Sequence, residues 1–333
     1  MAKQSDSPKP RYGIAEWYGR DISSMSPNER NEVALIAKAQ ADKQHFETNP
    51  PCPFLSAIVS NSTCNKIGGV CTIRKYAHKS DGFGAVVKGE RISTLCPLRF
   101  LDGTRIIRWV GEKMLGTGSP IIVKETPFLR KLNVAASDND ELDDETKRAG
   151  RIDWILVHPD SIANDELKWC AVETQAVYFS GDTMEHEFSA YASSANEALI
   201  FPAGKRRPDY RSSGPKRLAP QLSVKVPVLR AWGKKIAVVV DRYFYDNMSE
   251  LKSSFPRAKT EADHLANSEV IWFVVDYDGG MQMQPHQVVY SNLDYSVDAL
   301  NATEPVNKDE FNANLRELIK DTAREGSKVF TLL

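Results

Sequence analysis

Arg151-Ile-Asp-Trp-Ile-Leu-Val-His158 and Lys168-Trp-Cys-Ala-Val-Glu-Thr-Gln-Ala-Val-Tyr-Phe179 are two strand-like apolar runs separated by a polar loop of hairpin length. Each carries a carboxylate where an apolar residue would pack, Asp153 in the first and Glu173 in the second. A lone charge in such a strand costs several kcal/mol, roughly, unless a cation or hydrogen-bond donor meets it. Side chains alternate along a strand, so Glu173 and Gln175 share a face, and pairing of the two runs brings Asp153 to Glu173. Two readings follow from the residues alone: a buried ion pair with Arg151 or a nearby lysine, or a hard-oxygen site for Mg²⁺. The second suits phosphodiester hydrolysis, with Gln175 aligning the attacking water.

Outward from these runs, strand-like text recurs at Pro120 to Lys124, Ile236 to Val240 and Val270 to Tyr277. Helical text lies at Glu185 to Ile200 and, interrupted by Pro227, at Leu218 to Lys235. The alternation predicts an α/β core in which helices flank a mixed sheet. Before it, Ser26-Pro27-Asn28-Glu29 reads as a capping box that opens a helix running to about Phe46. A second helix is expected from near Asp102, with Ile106, Ile107, Val110, Met114 and Leu115 on one side and Gly116 as its stop. A boundary near Gly116 to Ser119 divides the chain into an N-terminal region, 1–116, a core, 117–285, and a helical extension, 286–333, holding an amphipathic helix from Lys308 to Glu325.

The chain has 333 residues, 41% hydrophobic and 26% charged, a globular balance. No apolar run reaches the eighteen or so residues that cross a bilayer, and the first residues do not read as a signal peptide, so a cytoplasmic protein with no membrane partner is expected. The net charge of −1 hides an acidic run, Asp138 to Glu145; removing its six charges leaves +5, so local basic surfaces are compatible with the total. One basic stretch runs from Lys205 to Arg217 and includes Lys205, Arg206, Arg207 and Arg211; it reads as a phosphate grip or as a solvated loop.

Four of the five cysteines, Cys52, Cys64, Cys71 and Cys96, lie in a Gly- and Pro-broken segment with no sustained helical period. In a reducing compartment such thiols serve as ligands more often than as disulfides, and four thiolates complete a closed tetrahedral shell around iron or zinc. Their spacings of eleven, six and twenty-four intervening residues are not those of paired knuckles, and the alternative is four buried thiols of a small core. Cys170 alternates with apolar neighbours and belongs to the core.

Several separate blocks, in order, resemble the NotI-type restriction endonucleases, a branch of the PD-(D/E)xK nuclease superfamily. They are Ile14 to Gly19, Cys52 to Leu55, Gly69 to Cys71, Cys96-Pro97 with Arg99, the Asp153-Trp154 run, Glu173-Thr174-Gln175 and Ile271 to Val274. The resemblance implies a PD-(D/E)xK core preceded by a structural iron or zinc ion on Cys52, Cys64, Cys71 and Cys96. It implies catalysis by Asp153, Glu173 and Gln175, the glutamine standing where the superfamily usually has lysine, with Glu125 as the acid of the preceding strand. It further implies Mg²⁺-dependent cleavage of double-stranded DNA at a GC-rich palindrome by a homodimer, leaving 5′-phosphate and 3′-hydroxyl ends, beside a cognate DNA methyltransferase. Two other classes stand against it: a non-cleaving sequence-specific DNA-binding protein with the same four-cysteine site, and a redox protein using a four-cysteine iron.

Overall fold

The computed structural model describes residues 8–42, 49–130, 148–193, 197–251, 255, 257–303 and 306–320. The N-terminal part is built on an antiparallel sheet in the order β2 (Arg20–Asp21), β1 (Arg11–Trp17), β3 (Val70–His78), β4 (Gly84–Val86), with β5 (Ser93–Thr94) pairing β3. Helix α1 (Pro27–Ala41) follows β2, and its expected capping box forms between Ser26 and Glu29. The helix ends at Ala41; residues 43–48, onto which it was expected to continue, lie outside the described residues. The sheet itself was not expected. Its strands bury Glu16, Thr72 and Arg74 among apolar residues, which blurs the two-residue period that marks a strand.

Those buried polar groups are matched across long sequence distances. Arg99 is fully enclosed, donates from Nε to Glu16 Oε2 at 2.8 Å, and lies over the rings of Phe54 and Tyr277. Arg74 reaches Asp21 at 2.7 Å. Arg99 therefore joins β1, the turn-rich cysteine segment and the core sheet in one contact set. Helix α2 (Arg105–Leu115) follows it and stops at Gly116 in the left-handed region, φ 79°, as expected.

The core is a six-stranded mixed sheet in the order β13, β12, β11, β8, β7, β6. Its strands are β6 (Ile121–Arg130), β7 (Arg148–Val157), β8 (Trp169–Gln175), β11 (Ile236–Asp241), β12 (Val270–Tyr277) and β13 (Met283–Ser291). β8, β11 and β12 are parallel neighbours and the rest pair antiparallel. The continuous apolar runs of β11 and β12 are those of strands covered on both faces. On one face Trp109 of α2 meets Phe273 edge-on, 4.9 Å between centroids; on the other Trp272 donates to Ser296 of α8 (Leu293–Asn301). Helix α5 (Ala219–Ala231) packs against α8 and runs unbroken through Pro227, where an interruption was expected.

The run from Lys168 to Phe179 is not one strand. It leaves the sheet at Ala176 because the Val177 N–H is taken by the Thr94 carbonyl, and resumes as β9 (Tyr178–Gly181), which pairs with β10 (Arg206–Asp209). Between them lies α3 (Glu185–Ser193), shorter than the helix expected to Ile200. Short helices α4 (Tyr210–Ser213), α6 (Arg242–Asp246) and α7 (Glu261–Asn267) complete the connections. The chain forms one compact unit from Met1 to Asn301 and a second from Ala302 to Leu333; within the second, α9 (Lys308–Lys320) is an amphipathic helix that exposes Phe311, Leu315, Leu318 and Ile319. The acidic run at 138–145 lies outside the described residues, as do 321–325 of the expected last helix. Among the described residues no helix is long and apolar enough to cross a membrane.

Candidate active site

The β7 and β8 ladder runs from Val157↔Trp169 to Trp154↔Val172 and goes no further. At the next step the strands exchange side-chain for main-chain hydrogen bonds. The Asp153 N–H donates to Glu173 Oε1 at 3.2 Å, and the Thr174 N–H donates to Asp153 Oδ2 at 3.2 Å. Each carboxylate, an acceptor with no donor of its own, thereby meets an N–H of the opposing strand. The two strands splay beyond this crossed pair, and the splay opens a cavity of about 580 Å³ lined by Asp153, Glu173 and Gln175.

Each carboxylate keeps one oxygen, Asp153 Oδ1 and Glu173 Oε2, that has no hydrogen-bond partner among the described residues. Burial raises the pKa of Asp153, opposed by the Lys225 ammonium. Burial first, then the Asp153 charge, push Glu173 up to about 7, with Lys225 opposing. Gln175 is half-buried and lines the cavity; its Nε2 donates to the Ala176 carbonyl, and its Oε1 has no hydrogen-bond partner among the described residues. The pairing of Asp153 with Glu173 and the placement of Gln175 beside them are as the strand periodicity predicts.

Lys225, which the sequence reading missed, comes from the buried face of α5 and donates from Nζ to Glu173 Oε1 at 2.5 Å. It answers the first reading of the residues: Glu173 does have a cationic partner, but a lysine 52 residues away rather than Arg151. Arg151 instead faces Glu125, 3.4 Å from Nη1 to Oε2. Lys225 carried no signal in sequence, since a lysine within Val224-Lys225-Val226 of a helix reads as solvated.

Glu125 sits in β6 opposite Asp153, between the paired positions Lys124↔Trp154 and Thr126↔Ile152. Its φ is 50°, a left-handed conformation that costs a non-glycine residue about 1–3 kcal/mol. The side chain is exposed, lines the same cavity, and is held below the usual carboxylate range chiefly by Lys124 at 2.8 Å. Glu125 is thus at the rim of the site and acts on Asp153 through its charge.

The cysteine segment forms the opposite wall of this cavity through Cys96, Lys66 and Asn65. Cys52, Cys64, Cys71 and Cys96 are all free and buried, and they are near enough that Cys64 feels the charges of Cys52 and Cys96, and Cys71 that of Cys96. Among the described residues, however, no three or more His, Cys, Asp or Glu side chains form a group that could hold a metal ion. The expected four-cysteine shell is therefore not assembled in this arrangement. The reason is local: the Cys64 thiol turns to the Lys66 carbonyl at 3.8 Å and the Cys71 thiol to the Gly69 carbonyl at 3.5 Å. Burial raises the pKa of Cys64, Cys71 and Cys96, while Lys66, whose Nζ donates to the Leu95 carbonyl at 2.7 Å, opposes it. Cys170 lies in the sheet core as expected.

The basic stretch is ordered into β10, α4 and a π-helical turn at Gly214–Leu218, so it is not a loop. Arg206 is buried and spends every guanidinium donor: on Glu187 through both Nη atoms at 2.9 Å, and on the carbonyls of Tyr12, Asp182 and Thr183. No donor is left for a phosphate, which removes Arg206 from the expected contacts. Lys205, Arg207 and Arg211 are exposed.

The family model described as Restriction endonuclease NotI matches residues 35–288, about three quarters of the chain. The match spans the cysteine segment, the crossed carboxylate pair and the core sheet as far as residue 288 in β13. A comparison with curated proteins gave no match.

Proposed function

The chain belongs to the NotI restriction endonuclease family, whose members are site-specific deoxyribonucleases acting on double-stranded DNA, and from that we propose that the cleft at the splayed end of β7 and β8 is where the phosphodiester is hydrolysed. The observation that carries the proposal is the crossed pair: Asp153 and Glu173 fix each other through opposing N–H groups, and both line one cavity together with Gln175.

Restriction endonucleases generally use Mg²⁺, and two carboxylate oxygens without hydrogen-bond partners among the described residues, on side chains that line one cavity, fit a small cation that keeps most of its waters. Asp153 and Glu173 would hold it, and it would supply Lewis-acid polarisation of the phosphate. Lys225 holds Glu173 in place and offsets its charge. Gln175 accepts a hydrogen bond from the attacking water through Oε1 and sets its line of approach. Glu125, at the rim, is the third acid of the proposed site. Lys205, Arg207 and Arg211 are proposed phosphate contacts.

The finer expectations belong to the same proposal: a PD-(D/E)xK core at 117–285 between the cysteine region and a C-terminal extension, a cytoplasmic homodimer acting on a GC-rich palindrome, 5′-phosphate and 3′-hydroxyl ends, and a partner methyltransferase. Loading of Cys52, Cys64, Cys71 and Cys96 with iron or zinc is a proposal of its own. It is supported by the burial and mutual proximity of four soft donors, and it requires Cys64 and Cys71 to release the carbonyls they now face.

The test is cleavage of GC-rich plasmids by purified protein with Mg²⁺ or with EDTA, beside Asp153→Ala and Glu173→Ala. Discrete fragments that need Mg²⁺, with rates lowered on the order of 10⁴-fold in both variants, are expected. Cleavage that persists in both variants, or none by folded wild-type protein, defeats the assignment. Binding without any cleavage would favour the non-cleaving reading.

A further inference from the structure

β9 lines two cavities. Tyr178 and Phe179 face the cleavage cleft, while Ser180 and Gly181 form the floor of a second cavity of about 710 Å³. The walls of the second are the arm at residues 8–10 with Arg11, the first residue of β1, and Lys205 with the start of β10. Five of its lining residues are Lys9, Arg11, Lys205, Arg206 and Arg207, and none is a carboxylate.

The five cations do not have the same task. Arg206 knits the floor, as described, with all its donors satisfied. Arg11 ties the arm to the preceding segment through Nη1, which donates to the carbonyls of Pro202 at 3.1 Å and Ala203 at 2.6 Å, and its guanidinium lies 5.1 Å from the Phe201 ring centroid. Gly181, at φ 101°, has no space for a Cβ, which would meet the Lys205 carbonyl oxygen at 2.1 Å. The cradle is thus built of fixed parts. Lys9, Lys205 and Arg207, in contrast, are exposed, and among the described residues none makes an ion pair with a carboxylate. The nearest acids are engaged elsewhere: Glu187 with Arg206, Asp182 with the Lys205 N–H, and Asp209, which feels Arg207, with Ser212.

We infer that this cleft is a second nucleic-acid site, which takes the sugar–phosphate backbone of the duplex beside the cut and uses Lys9, Lys205 and Arg207 as its phosphate contacts. The inference rests on the cleavage-site reading. Its geometric basis is the shared wall: from Tyr178 to Gly181 β9 advances about 10 Å at ~3.3 Å per residue, roughly three nucleotide steps of ~3.4 Å rise. A nucleic-acid strand whose scissile phosphate reaches Asp153 and Glu173, and which continues along β9 past Tyr178, brings a later phosphate to the basic cradle. Lys9 and the arm lie outside the matched family segment, so this contact extends the DNA surface beyond the family core.

Counterion release gives the test a number. Binding of a fluorescent 30-bp duplex of arbitrary sequence is measured in EDTA, where nothing is cut, from about 50 to 200 mM KCl. Lys9→Ala combined with Arg207→Ala is compared with wild type and with a control of equal charge, Lys113→Ala combined with Arg230→Ala. Of the control residues, Lys113 is half-buried and Arg230 exposed; they pair with Glu261 and Glu269, beside the first residues of β12, at the opposite end of the parallel strands from Gln175. All four positions are surface cations, and unchanged melting temperatures check the folds. The slope of log K against log salt is expected to become shallower by about two in the cleft variant and to stay at the wild-type value in the control. A cleft variant that keeps the wild-type slope, or a control that loses as much, overturns the cleft while leaving the cleavage reading intact. A folded wild type that binds no DNA overturns both.

Discussion

Two sets of reactive groups lie at or behind the walls of the cleft, the carboxylate pair lining one side and the four thiols reaching the other through Cys96, and they are organised to different degrees. The carboxylates of Asp153 and Glu173 are locked across two strands, whereas the thiols of Cys64 and Cys71 each turn to a carbonyl two residues away in sequence. The difference follows from hydrogen-bonding capacity. An ionised carboxylate only accepts, so once buried it must capture N–H or ammonium donors, and those come from other parts of the chain. A thiol is a weak donor that the nearest carbonyl satisfies. Acceptor-only groups therefore draw distant segments together in the chain by itself, and thiols do so only when something else gathers them.

The strongest way to break this comparison is to remove the donor that Glu173 has captured. Lys225→Met leaves a carboxylate buried beside Asp153 with one N–H for support. A loss of about 3–5 kcal/mol in urea-unfolding free energy is expected. Replacing the carboxylate as well, in Lys225→Met with Glu173→Gln, should restore most of that loss, because the penalty lies in the uncompensated charge rather than in the pair's net worth. Lys225→Arg should retain much of the stability, with cleavage lowered through kcat more than through KM, since the larger guanidinium shifts Glu173 without touching DNA. A double variant no more stable than Lys225→Met alone would show that Lys225 only packs.

The same chemistry explains how much could be read from sequence. β11 and β12 were legible because strands covered on both faces are continuous apolar runs, and Asp153, Glu173 and Gln175 were legible because they interrupt such runs in register. The N-terminal sheet was not legible, because Glu16 and Arg74 look like surface residues until Arg99 and Asp21 are brought to them by the fold. Lys225 was hidden for the same reason. The break between β8 and β9 was hidden because Ala176-Val177 continues the apolar run, and only the Thr94 carbonyl, far away in sequence, turns the chain out of the sheet.

Asp241 extends the comparison to a carboxylate with no cation to meet. It is fully enclosed at the end of β11, where Oδ2 accepts the Thr94 N–H at 2.6 Å and Oδ1 the Phe244 N–H at 2.7 Å. It thus fastens β5, two residues before Cys96, to the core sheet. Burial outweighs these N–H bonds and raises its pKa from 3.8 to about 6. A raised acid in the folded state contributes stability that is present below the unfolded pKa and lost as pH rises through the folded one. Between pH 4 and 7 the wild type should lose about 2 kcal/mol relative to Asp241→Asn, whose side chain does not ionise. Unfolding free energies of both proteins across that range check it, and a constant gap would place the charge of Asp241 in contact with solvent.

The smallest expected effect concerns the thiols, and it discriminates most sharply between the two kinds of organisation. In the arrangement seen here each thiol is held by its own turn, so in protein treated with a chelator Cys52→Ala, Cys64→Ala, Cys71→Ala and Cys96→Ala should each cost about 1–2 kcal/mol, and pairs should add within about 0.5 kcal/mol. Protein loaded with iron or zinc should behave differently. A shared ion makes the four thiols one unit, so the first substitution removes most of the gain and a second adds little. Elemental analysis should then find about one ion per chain, lost in any of the four variants. Additivity in both preparations would mean that these thiols pack as a small core and that the wall of the cleft is held by Arg99, Asp241 and Lys66 alone. Non-additivity confined to the loaded protein would mean that the ion does for the thiols what the strand N–H groups already do for Asp153 and Glu173.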